Sequence, residues 1–205
     1  IFSKVKTNDA LFPVVRIFAD ETVPHPDGGV DPLRDATTFE TEFIIADLMI
    51  IETRIERVRK QLQKTNDDRL RGELVVLEKC HGILQSERPL READFSDDEF
   101  LLLKTYQLLT IKPMLIAVNC DETQQQAVAE MVKKITSLKA GKNTKVMSLY
   151  GKIDKEMSEL SEEEARVFMQ EYGITESALD TLIREAYALL GLRSFLTAGE
   201  DECRA

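Results

Sequence analysis

Disulfide chemistry has little to work with in this sequence. There are three cysteines, Cys80, Cys120 and Cys203, an odd number without a CxxC pair. That argues against a disulfide-stapled secreted fold and for a reducing, cytoplasmic setting. Long apolar runs are missing as well. The longest, Phe43 to Ile51, is interrupted by Asp47 and is far too short to span a bilayer, so no membrane partner is expected. No signal-peptide layout stands at the N-terminus. Basic charge is not in excess: the formal net charge is −10. The surface as a whole therefore does not coat nucleic acid or anionic lipid, and either task needs a local basic patch. The phosphate-cradling motif Gly-x-x-x-x-Gly-Lys-[Ser/Thr] is nowhere in the chain. The chain opens at Ile1 in Ile-Phe-Ser-Lys-Val-Lys, which reads as the inside of a helix. The sequence is accordingly taken as a fragment.

What is present is enough for a core. With 205 residues and 43% apolar content, the chain accommodates one domain, or one domain interrupted by another. Residues 1–10 read as the end of a helix. Pro13 to Phe18 is a β-branched and aromatic run, expected to be a strand with proline first. The prolines and glycines of 19–37 make a turn-rich connection. Then the period changes. Ile44, Leu48, Ile51, Ile55, Val58 and Leu62 keep a 4, 3, 4, 3, 4 spacing, and Leu70, Leu74, Leu77, His81 and Leu84 continue it beyond Thr65-Asn66-Asp67-Asp68. Two such stripes need each other to be buried, so an antiparallel helical hairpin is expected. On this reading His81 is a polar seam residue. Ser96 with Glu99 is a capping box that opens a third helix over about 97–109.

After the helical segment, the apolar run Pro113–Val118 reads as a strand buried on both faces. A helix over Gln124–Ala140 and a strand at Lys145–Met147 follow. Two more helices open at Ser161 and Thr175, and a last strand is expected over Arg193–Thr197. The reading divides the chain into 1–37, a helical coiled-coil insertion at 38–110, and 111–205. The expected class is α/β, with a mostly parallel sheet interrupted by the hairpin.

Ligands of an open parallel sheet sit beyond the carboxyl ends of its strands, where Asn119-Cys120-Asp121-Glu122 stands. In the guanine-reading motif Asn-Lys-x-Asp, the final carboxylate accepts from the ring N–H and the 2-amino group. Here Cys120 replaces Lys and Glu122 replaces Asp. The extra methylene displaces the carboxylate by about a bond length, enough to spoil a bidentate contact. Adenine lacks both donors, while Asn119 can still address its N7 and 6-amino edge. An ordinary strand-end turn with a helix-capping acid has the same residues.

Context separates the two. Asp9–Phe18, Val30–Asp35, Glu42–Leu48, Val76–Cys80, Leu109–Pro113, Asn119–Glu122, Ser177–Leu190 and Phe195–Gly199 together resemble the YchF/Obg-like ATPase family in order and content. The resemblance runs through the whole chain. It implies a partial P-loop NTPase G-domain with an inserted helical hairpin, and a parent ATPase that uses ATP and Mg2+, the latter through residues outside this chain. It also implies that Asn119, Cys120 and Glu122, Phe18, and a loop at Ser148 and Leu149 hold the adenine of ATP in preference to GTP. Position 120 is ordinarily bulkier in that family, and Ser148-Leu149-Tyr150 departs from its run of small residues. Phe18 reads equally as core packing at a strand end. His25 resembles a family position but has no identifiable partner acid in the sequence. Cys80 and Cys203 read as packing residues.

A last feature is local charge. Between Arg54 and Arg71 stand seven basic and three acidic residues. An antiparallel hairpin gathers them at its tip, where Arg57, Lys60, Lys64 and Arg71 are expected to contact RNA, with the ribosome as the implied partner. Basic residues flanking a seam also serve solubility alone. The alternative functions are a helical-hairpin interaction module, or a GTP-dependent nucleic-acid-binding protein.

Overall fold

A computed structural model describes residues 2–26, 28–121, 125–139, 141, 143–172, 176–195, 197–198 and 203–204. They form two compact units, 1–149 and 150–205. The first is built on a parallel sheet of β1 (Val14–Arg16), β2 (Met114–Asn119) and β3 (Thr144–Leu149), in the order β1-β2-β3. β2 is central because it alone is apolar at every position a two-sided sheet buries: Met114 to Val118 are all at most 2% exposed. The short helix α1 (Phe2–Val5) precedes β1. α5 (Gln125–Lys139) makes the crossover from β2 to β3 and buries Val128 and Ile135, two helical turns apart.

The expected hairpin is present. α2 spans Pro32–Leu62 and α3 spans Asp68–Gln85. The connection after β1 is shorter than the expected 19–37, because Asp31 caps α2. Its carboxylate accepts from Leu33 N and Arg34 N, and Pro32 fills the first helical position. Asp67 caps α3 in the same way. On α2 the buried line is Ile44, Ile51, Ile55 and Val58, as the spacing indicates. On α3 it is Glu73, Leu77, Cys80 and Leu84, with Leu70 and Leu74 only partly buried. The facing stripe is thus rotated from the expected one. Glu73 is drawn inward because Arg54 Nε (2.5 Å) and Tyr106 Oη (2.6 Å) both donate to it. His81 turns to the rim, 3.2 Å from Glu52 Oε1, rather than lying in the seam. A fully buried Ile or Leu contributes about 1.5–3 kcal/mol. The exposed Arg59–Glu78 pair contributes about 0.2–1 kcal/mol, so apolar burial and not surface charge holds the helices together.

α4 (Asp97–Lys104) starts at Ser96 with the expected capping box but ends five residues early, at Thr105. The freed segment returns to β2 and is fastened to the hairpin by two buried acids. Asp47, fully buried, accepts from Leu109 N (2.9 Å), Thr110 N (2.7 Å) and Thr110 Oγ1 (2.7 Å). Burial raises its pKa, and those three donors oppose the rise. Glu40 accepts from Arg91, whose Nε donates to Lys112 O at 2.9 Å.

In the second unit, α7 (Glu162–Tyr172) and α8 (Ala178–Leu190) correspond to the two expected helices, the second opening at Ala178, while the expected start at Thr175 lies outside the described residues. Ser161 and Glu164 close a reciprocal cap, and Ser177 caps α8 through Asp180 N. α6 (Gly151–Ser158) was not foreseen; its signal is the buried pair Ile153 and Met157, four apart. In place of a strand over 193–197, β4 (Thr197–Ala198) pairs antiparallel with β5 (Cys203–Arg204).

Candidate functional site

Two backbone hydrogen bonds assemble the carboxyl edge of the sheet. Ile17 N donates to Asn119 O at 3.1 Å, and Cys120 N donates to Leu149 O at 2.8 Å. Arg16 is in register with Asn119, and Asn119 with Leu149. Phe18, Asn119-Cys120 and Ser148-Leu149 therefore lie on one edge, although they are more than 100 residues apart in sequence between the first pair. Parallel pairing is what does this: it points all three chains the same way.

The individual residues differ in what they offer. Phe18 is half-buried two residues beyond β1, with the Arg16 guanidinium 5.6 Å from its ring centroid. Arg16 also donates to Val23 O at 2.7 Å, which fixes it over one side of the ring. Sequence reasoning missed Arg16, yet the alternation of side chains along a strand puts 16 and 18 on the same side and is the signal for it. Cys120 is 3% exposed, and its thiol donates to Val118 O at 3.1 Å. Burial pushes its pKa up to about 11. It serves as small, uncharged floor rather than as a stacking surface. Ser148 and Leu149 are not a loop: β3 continues through them because its length matches β2 up to Asn119. Ser148 is exposed and Leu149 half-buried. Asn119 is half-buried at the end of β2. Glu122 lies outside the described residues.

His25 does have a partner acid. Its Nε2 is 2.9 Å from Asp35 Oδ2, and Arg34 donates to the other oxygen of Asp35 (3.1 and 2.9 Å). The pair ties the connection after β1 to the first turn of α2, ten residues further along the chain.

No family model matches the chain. Individual proteins do. The ribosome-binding ATPase YchF of Bacillus subtilis (strain 168) is 41% identical over 205 residues, covering 99% of this chain and 56% of the relative. Obg-like ATPase 1 of Caenorhabditis elegans is 30% identical over 208 residues, covering 99% of this chain and 52% of the relative. The solved structure of the Schizosaccharomyces pombe YchF GTPase superposes with a TM-score of 0.84 at 28% identity, over 99% of this chain and 56% of that one. Over 99% of its length this chain is homologous to the YchF/Obg-like ATPase family. It spans about half the length of the curated relatives it matches. The α/β architecture with a parallel sheet and a helical hairpin is thus that of a YchF G-domain portion with its helical domain.

On the hairpin the seven basic residues are not equivalent. Arg54 is tied to Glu73, Arg59 to Glu78 (2.8 Å), and Arg71 to Asp68 (3.1 Å) and Asn66. Arg57, Lys60 and Lys64 are exposed, and among the described residues no ion pair engages them. Arg57 and Lys60, three apart, share one face of the last turns of α2, and Lys64 follows in the turn just beyond its end at Leu62. Arg71 lies instead in the first turn of α3. No described helix is long and apolar enough to cross a membrane.

Proposed function

We propose that this chain is the base-recognition half and helical hairpin of an ATP-binding and ATP-hydrolysing protein that acts on the ribosome, in the cytoplasm. The observation that carries the reading is the convergence of Phe18, Asn119-Cys120 and Ser148-Leu149 on one sheet edge, in a YchF homologue. Arg16 occupies one side of the half-buried Phe18 ring, and on this reading the purine stacks on the other. Asn119 offers both a donor and an acceptor for the adenine edge. Cys120 puts no cation at the position where guanine readers carry Lys, and Glu122 replaces their Asp.

When bound with Mg2+, ATP supplies the phosphoryl group that is hydrolysed. This chain's own residues orient the base and exclude water from it; they do not include the Gly-x-x-x-x-Gly-Lys-[Ser/Thr] cradle. Most nucleotide affinity in P-loop proteins comes through the phosphates, so the 205 residues alone are inactive and bind ATP weakly. The test is to compare ATP and GTP affinities in the full-length protein. ATP binds more tightly, and Cys120→Lys with Glu122→Asp shifts the preference towards GTP. Equal or GTP-favouring affinity in the wild type overturns the reading and supports GTP-dependent nucleic-acid binding instead.

The hairpin supports a second, compatible role as an interaction module. Its observation is the exposed cations Arg57, Lys60 and Lys64, placed to meet RNA phosphates.

A further inference from the structure

At the opposite end of β2 from Asn119, a cavity of about 310 Å3 opens between the N-terminal segment and the stretch joining α4 to β2. Lys6, Lys104 and Lys112 all line it, and Phe100, Ile111 and Pro113 form apolar wall. Asp9 is the carboxylate among its lining residues. The five residue steps from Met114 to Asn119 separate it from the base site by roughly 17 Å, at about 3.3 Å per step.

Backbone hydrogen bonds hold the frame of the cavity. Leu11 N donates to Pro113 O and Leu115 N to Leu11 O, both at 2.9 Å, which seat the N-terminal segment against β2. Lys112 N donates to Leu109 O (3.2 Å), and Lys112 O accepts from the buried Arg91 (2.9 Å). The Lys112 ammonium donates to Asn8 O, which leaves it two further protons. Lys104 holds its ammonium 5.3 Å from the Phe100 ring centroid. Gln107, also at the cavity, has a left-handed φ of 52° that turns the chain after α4.

Two of the lysines have a small local reason to be there. Lys104 suits the carboxyl end of a helix, and Lys112 holds Asn8. Neither reason explains why three lysines line one hollow whose lining holds a single carboxylate, Asp9. Burial lowers the pKa of Lys112, with Asp9 and the buried Asp47 pulling the other way. Asp47 is already engaged by Leu109 and Thr110. The lining of the cavity is net positive, three lysines against Asp9, with an apolar side, and Phe100 is 41% exposed beside it. A phosphate monoester carries about −1.5 to −2 at neutral pH, which matches three lysines less one aspartate better than a carboxylate does.

We propose that this cavity binds a small phosphate monoester with a flat apolar body, its phosphate among Lys6, Lys104 and Lys112 and its body against Phe100, Ile111 and Pro113. The site does not depend on the nucleotide reading. Phenyl phosphate is the probe, titrated calorimetrically into the 205-residue chain at low and high salt. It binds, more weakly in high salt, and at least about tenfold more tightly than inorganic phosphate or phenol. Lys6→Gln and Lys112→Gln each weaken it by about tenfold or more. Phe100→Ala reduces it to the level of inorganic phosphate. Lys104→Gln, at an exposed position, gives the same direction of change should either of the other lysine variants fail to fold. Adenosine does not displace the probe. Absence of binding at millimolar phenyl phosphate, or affinity that all three lysine variants leave unchanged, overturns the site. Inorganic phosphate binding as tightly overturns the ligand class. Displacement by adenosine would move the probe to the base site and overturn the proposal as well.

Discussion

Glu87 sits where helices usually end in glycine. Its φ is 57°, and the bonds around it are those of a Schellman ending: Glu87 N donates to Leu84 O (3.0 Å) and Arg88 N to Ile83 O (3.3 Å). A side chain in this conformation costs about 1–2 kcal/mol, and glycine recovers part of that against its own chain entropy. Glu87 is exposed and carries a negative charge at a helix carboxyl end, which the dipole disfavours. Glu87→Gly is expected to stabilise the protein by about 0.5–1 kcal/mol. Urea denaturation measures this; unchanged or lower stability would mean that the turn is not held as described. The same scale explains the cysteines. Burial raises Cys80 to about 12 and Cys120 to about 11, so both are packing groups and not nucleophiles.

The hairpin owes its register to a polar triad as much as to its stripes. Burial by itself would raise the Glu73 pKa, but hydrogen bonds from Arg54 and Tyr106 outweigh it and hold the carboxyl below the usual range. A depressed carboxylate stabilises the fold fully above its unfolded pKa, about 4.3 for glutamate, and that contribution is lost as pH falls through the lower folded value. Glu73→Gln removes the charge but keeps the shape. The variant is expected to be less stable than wild type at pH 7, and the gap should narrow as pH is taken below 4.3. Unfolding free energies over a pH series decide it. A gap independent of pH would show that the triad contributes through packing alone. The triad also explains why α3 faces α2 with Glu73 and Cys80 rather than Leu74 and His81: the heptad count identifies a wide apolar stripe, while the ion pair selects which edge of it lies in the seam.

For the whole molecule the central quantity is charge distribution. The chain is acidic overall, with −10, yet the end of α2 and the turn after it carry three exposed cations, Arg57, Lys60 and Lys64, that no described ion pair engages. Each phosphate contact contributes about −0.7 to −0.9 to the slope of log affinity against log salt. Replacing Arg57, Lys60 and Lys64 together with Ser in the full-length protein should weaken ribosome co-sedimentation and flatten that slope by about two to three. Arg71→Ser, removing a cation already paired with Asp68, should do much less. A triple variant that keeps both affinity and slope would assign these cations to solubility alone.

Much of this fold was legible in the residues themselves, because periodicity and capping are local. The seam of α2, the capping box at Ser96, the buried strand at Pro113–Val118 and the order of family-like segments all follow from side chains a few positions apart. The end of the buried strand at Asn119 was legible for the same reason. What lay beyond the sequence depends on distant partners. α6 is stable only where Ile153 and Met157 are buried, β3 runs on to Leu149 only because β2 is there to pair with it, and His25 finds Asp35 only once α2 starts at Pro32. The convergence of Phe18 with Asn119 likewise required parallel pairing of segments separated by the whole helical hairpin. Local spacing sets which face of an element is apolar; the tertiary structure alone decides what that face meets.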